Sequence, residues 1–162
     1  MATTENTSSH RNSIAWQKAM ELARIVYKTT QRFPSEERFG LTNQLRRAAV
    51  SIPSNIAEGK GRLTTGELIQ FLGIARGSTL EVLTQLELAL MLGFGDPPAI
   101  AEAEAIAFEV SKILNAALTT LRAKQVTKNN ADPFTLSFSL FTLTYSYRSA
   151  SIGSKFAAFH AG

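Results

Sequence analysis

Apolar residues return at intervals of three and four in four successive stretches of this chain, and proline or glycine closes the first three. Only an α-helix, at 3.6 residues per turn, gathers that spacing onto one face. The first stretch runs from Ser13, placed as an N-cap, to Phe33, with Ala15, Ala19, Leu22, Val26 and Phe33 on its inner side. Pro34-Ser35 ends it. Ser35 is positioned to cap the second helix, whose first turn holds Glu36 and Glu37 at the positive end of the helix dipole.

In the second helix Leu41, Leu45, Ala48, Ile52 and Ile56 share a direction at about 100° per residue. Pro53 interrupts that stripe and removes the bond to the Ala49 carbonyl, so a kink or break is expected near Ile52. Asn55 and Glu58 are placed to bond backbone groups freed there, and Gly59-Lys60-Gly61 closes the helix. Thr64 and Glu67 have capping-box spacing and open a third helix striped by Leu68, Leu72, Ala75, Thr79, Val82, Leu86 and Ala89. Within it Gly73 and Gly77 have the spacing that permits close helix approach. Gly93 and Gly95 stop it, and Asp96-Pro97 starts a fourth, striped by Ile100, Ala103, Ala107, Val110, Leu114, Ala117 and Leu121.

Four helices with short connections predict an all-α fold, an antiparallel up-down four-helix bundle over residues 13–127. Residues 1–12 read as a disordered polar arm. Residues 128–162 change character: five of the ten phenylalanines lie in the last 29 positions, among alternating Ser and Thr. That segment reads as a hairpin packed on the bundle, a disordered extension or a non-native tail, and no function attaches to it.

Some apolar residues do not fit a lone bundle. Ile74, Leu80 and Leu88 project about 100° or more from the third helix's stripe, and Val50 points nearly opposite the second helix's core direction. A helix apolar on most sides is buried on most sides, so these four predict an oligomer interface; the alternative is scattered surface apolar residues.

Composition narrows the function. There is no cysteine, and the two histidines, His10 and His160, lie near opposite ends. Asp96 and Asp132, each beside a proline, are the only aspartates. Thiolate or His-based metal sites and nucleophile–base–orienter triads therefore have almost no material; the expectation is no enzyme, no metal and no cofactor. No apolar run reaches the roughly 18 residues of a membrane helix, and residues 1–13 lack a secretory apolar stretch, so a cytoplasmic protein is expected.

Charge is unevenly spread. Residues 11–62 carry ten basic and four acidic groups, a net of +6, whereas residues 63–127 carry four basic and seven acidic, a net of −3. The basic half suggests a polyanion-facing surface, the alternative being a solvated helix face. Arg24, Lys28 and Arg32 form a row on the first helix. Arg46 and Arg47 lie about 120° and 140° to either side of the second helix's core direction, and Lys60 and Arg62 flank Gly61 in a loop. With Arg76 they are the candidate nucleic-acid contacts. For Arg46, Arg47 and Arg76 the alternative is pairing between subunits with Glu67, Glu81 or Glu87. Trp16, Tyr27 and Phe71 read as core, leaving no aromatic platform for unpaired bases.

The stretch LTNQLRRAAVSIPSNIAEG, Leu41 to Gly59, with WQKAMELARIVYKTTQRFP (Trp16 to Pro34), ERFGL (Glu37 to Leu41) and IARGS (Ile74 to Ser78), resembles a known family. It is similar to the bacterial four-helix bundle proteins encoded in intervening sequences of 23S ribosomal RNA genes, over about residues 14–122. Glu81 and Gln85 in LEVLTQLELA fit as well. The family also looks like the accessory proteins of diversity-generating retroelements, which bind nucleic acid together with a reverse transcriptase. The resemblance implies a ring, a homopentamer, with a basic surface; the tail has no counterpart. The expected function is a non-enzymatic oligomer that binds structured RNA, or DNA. The alternative is a structural or adaptor module whose partner is a protein, such as a reverse transcriptase.

Overall fold

The computed structural model describes residues 10–130, in which the helical rhythm becomes four helices: α1 (Ile14–Thr29), α2 (Leu41–Gly61), α3 (Thr65–Met91) and α4 (Pro97–Asn130). Among the described residues there is no strand. The apolar stripes face one another as a single core. Leu22, Val26, Leu45, Ile52, Ile56, Val82, Leu86, Ile100, Val110 and Leu114 are all fully buried there. Leu68, Ala117 and Leu121 pack against that core only partly buried, and Leu118 is buried in their place near the end of the α4 stripe.

Contacts between helices run in opposite sense along the chain, which makes the bundle antiparallel. Gly59 lies against Leu68 and Phe71, whereas Ser51 shares a 2.8 Å hydrogen bond with Ser78. Between α1 and α4, Lys18 pairs with Glu109 at 3.0 Å near one end and Arg32 with Asp96 at 3.8 Å near the other. The Glu109 carboxylate, and then Glu21, hydrogen-bond the Lys18 ammonium and hold its pKa above the usual lysine value. The described residues form an antiparallel up-down four-helix bundle.

The helix ends depart from expectation in instructive ways. His10–Asn12 is a 3₁₀ turn rather than part of a disordered arm: the His10 ring meets Trp16 edge-on at 5.1 Å, and Gln17 donates to the Arg11 carbonyl. Ser13 stands at the start of α1 with no side-chain capping bond. Ser35 does not cap α2. Ser35–Arg38 is a separate 3₁₀ turn, and it is the Glu37 carboxylate that accepts the Leu41 N–H at 2.8 Å. A carboxylate there satisfies an otherwise orphaned donor and suits the dipole. The Thr64 hydroxyl accepts the Glu67 N–H, as its spacing predicts, and itself donates to the Glu67 carboxylate.

α2 runs as one helix through Pro53 without the expected break. Asn55 donates to the Ser51 carbonyl and hydroxyl, not to the Ala49 carbonyl that Pro53 leaves without its donor, and Glu58 pairs with Arg62. Gly73 and Gly77 allow no close approach within the subunit, since a Cβ on either would meet no atom within 4 Å. Gly93, at φ +72°, ends α3: its N–H reaches the Leu90 carbonyl and that of Phe94 reaches Ala89, closing a Schellman motif. Phe94 then packs on Phe33.

The described residues fall into two units, 10–122 and the helical end 123–130, which is largely exposed. The tail reading for 131–162, and residues 1–9 of the polar arm, lie outside the described residues. Among the described residues no helix is long and apolar enough to cross a membrane.

Candidate nucleic-acid interface

The register that packs α1 against α2 sets the geometry of the basic face. Thr30, one residue past α1, turns its buried hydroxyl to the Val26 carbonyl and accepts a 2.8 Å hydrogen bond from Arg46 Nε. That bond holds the Arg46 guanidinium over the Tyr27 ring, 4.9 Å from its centroid. Both groups open on a cleft of about 470 Å³ lined by Tyr27, Asn43, Arg46, Arg47, Val50 and Ser51. Arg47 also lines a neighbouring α2–α3 cleft of about 370 Å³ with Gln44, Ser78 and Glu81. Arg47 thus stands on the ridge between the two.

The candidate cations fall into two groups. Unlike Lys28, which lines an α1–α4 cleft with Arg32, Asp96 and Glu102, Arg24 is exposed on α1 one turn before Tyr27, and Arg47 is exposed on α2; neither has an ion-pair partner among the described residues. Arg46 joins them, fixed by Thr30. The others lie elsewhere. Lys60 lines a separate, mainly apolar cleft with Ile14, Ile56 and Leu68. Arg62 pairs with Glu58 and lies over the Phe71 ring, 4.6 Å from its centroid, which fastens the α2–α3 connection. Arg76 is exposed on α3, remote in sequence from the α1–α2 cleft and absent from its lining.

Tyr27 is not a core residue. It is 46 % exposed, whereas Trp16 packs partly against the core and Phe71 is half-buried beneath Arg62. The signal was present in the helix angle: Tyr27 follows Val26 by about 100°, away from the buried stripe, and Arg24 lies about 60° further round on the polar side. Asn43 was also missed, because a lone amide on an exposed turn carries no spacing signal. The four outward apolar residues are exposed: Val50 43 %, Ile74 45 %, Leu80 45 % and Leu88 43 %. Among the described residues no three His, Cys, Asp or Glu side chains group closely enough to hold a metal ion.

The sequence model of the family described as 23S rRNA-intervening sequence protein matches residues 11–116. The chain belongs to this family. The matched span covers α1, α2, α3 and the first half of α4, and so includes both clefts and every candidate cation. No curated protein matches the sequence. Among solved structures, the family chain is similar to a protein of unknown function from the S23 ribosomal protein family of Bacteroides thetaiotaomicron. The two are 25 % identical with a TM-score of 0.59, over 65 % of this chain and 98 % of that one.

Proposed function

We propose that this intervening-sequence protein is a non-enzymatic, oligomeric bundle that binds structured RNA electrostatically through its α1–α2 face. The observation that carries this reading is the set of cations there, Arg24, Arg46 and Arg47, which have no carboxylate partner among the described residues. A cation neutralised inside the protein has little to gain from phosphate; an unpaired one releases counterions when it meets a phosphate backbone. Assembly multiplies the effect. Ile74, Leu80 and Leu88 on α3 are the residues proposed to bury one another between copies, and Val50 opens instead on the α1–α2 cleft. Five copies at +4 each, the ring implied by the family resemblance, would carry +20.

Light scattering of the full chain with and without bacterial ribosomal RNA, at low and high salt, tests the reading. The expected result is a multimer that takes up RNA at low salt and releases it at high salt. Arg24→Glu with Arg47→Glu should weaken that uptake and leave the multimer intact. A multimer indifferent to RNA at every salt concentration would overturn the RNA reading in favour of an adaptor whose partner is a protein.

A further inference from the structure

Four properties of the α1–α2 cleft go beyond a general attraction for phosphate. Its wall includes an aromatic ring, Tyr27, that is 46 % exposed. A guanidinium plane lies on that ring, and it is held there rather than free to swing: Arg46 Nε is committed to the Thr30 hydroxyl, which is itself buried and tied to the Val26 carbonyl. The bond consumes one of the five donors of Arg46 and leaves both terminal nitrogens without a hydrogen-bond partner among the described residues. Beside them stand the unpaired Arg47 and the exposed Asn43 amide, and no carboxylate lines the cleft.

A duplex keeps its base faces stacked and out of reach of such a surface. An unpaired nucleotide presents a base face, together with its edge and a phosphate. We infer that the α1–α2 cleft is a pocket for one unpaired RNA nucleotide, its base stacked on the Tyr27–Arg46 pair and its phosphate held by Arg47. Asn43, with a donor and an acceptor on one amide, faces the base edge across the same cleft. A volume of about 470 Å³ lies within the roughly 300–1,000 Å³ range of small-ligand sites. The RNA bound by this face is therefore read at a loop or bulge, not along a continuous helix. This inference rests on the nucleic-acid reading above and adds the form of RNA to it.

The test compares fluorescently labelled single-stranded RNA with a blunt RNA duplex of the same length, titrated with the full chain at low salt. Tyr27→Leu should weaken single-strand binding about tenfold, the loss of one stacked base, and leave duplex binding within about twofold. Tyr27→Phe, which keeps the ring, should retain single-strand affinity. Unchanged single-strand affinity in Tyr27→Leu would overturn the pocket while leaving the electrostatic reading in place. Failure of the unaltered chain to bind either RNA would overturn both. If Tyr27→Leu also lowers the melting temperature, photocrosslinking of the unaltered chain to 4-thiouridine-containing single strands decides. Adducts on the peptide around Tyr27 or Asn43 support the pocket, and adducts confined to other segments overturn it.

Discussion

At Gly59 α2 packs tightly against α3. A Cβ added there would lie 2.9 Å from the Cβ of Phe71 and 3.3 Å from Leu68 Cδ1. Phe71 Cβ is bound directly to the α3 backbone, so it cannot turn aside as the end of a long side chain would; α3 itself must retreat. Two opposing effects decide the outcome. Alanine is the better helix former by about 0.5–1 kcal/mol, whereas overpacking a closed contact costs about 1–3 kcal/mol. The second is larger, and Gly59→Ala is expected to destabilise the bundle by about 1–2 kcal/mol in urea unfolding. An increase in stability would mean that the α2–α3 seam yields without cost. The same seam carries the Arg62 guanidinium on Phe71, so the loss should appear together with increased exposure of that connection to protease.

At the scale of the element, Pro53 is the anomaly: a buried proline in the interior of α2 that leaves the Ala49 carbonyl without its helical donor. Interior proline disfavours a helix by about 3 kcal/mol relative to alanine. Replacing the ring by a methyl group removes two carbons of buried surface, a loss of about 1.6 kcal/mol at about 0.8 per carbon. Pro53→Ala is therefore expected to raise the urea midpoint by an amount equivalent to about 1 kcal/mol. A lower midpoint would show that ring packing outweighs the missing bond. The core stripes of all four helices were legible in the sequence because burial follows a single period, and one period summed over many residues survives local exceptions. The ends were less legible. Ser35 and Glu37 are both good capping side chains, and only the three-dimensional path of the 3₁₀ turn decides that Glu37 reaches the Leu41 N–H. The basic residues were visible as types, but their sorting was not. Arg62 and Glu58 are four residues apart and could be paired from spacing alone, but whether Arg62 lies over Phe71, or Arg46 faces Thr30 and Tyr27, depends on which helix lies alongside, and one helix's periodicity says nothing about its neighbour.

For the whole molecule the open surface of α3 is decisive. Ile74, Glu81 and Leu88 recur at intervals of seven, a narrow stripe of one helix face, and Ile74 and Leu88 remain about half exposed in the single chain. Full burial of such a side chain contributes about 1.5–3 kcal/mol, so covering the part of each that is still exposed contributes about 0.7–1.3 kcal/mol per copy, repeated at every interface of a ring. Ile74→Asp combined with Leu88→Asp places carboxylates on that stripe beside Glu81. The doubly substituted chain is expected to sediment as a monomer, with a melting temperature close to that of the unaltered subunit because neither side chain supports its core. A multimer of unchanged mass would return the α3 stripe to ordinary solvated surface. The same variant separates assembly from recognition. If each subunit carries its own RNA site on α1 and α2, the monomer keeps its single-strand contact and loses only the gain from several linked sites. Its apparent affinity for a long RNA should then fall by more than its affinity for a short single strand. The salt dependence should become shallower too, because fewer phosphates are engaged at once. Equal losses for long and short RNA would instead place the recognition site at the junction between copies.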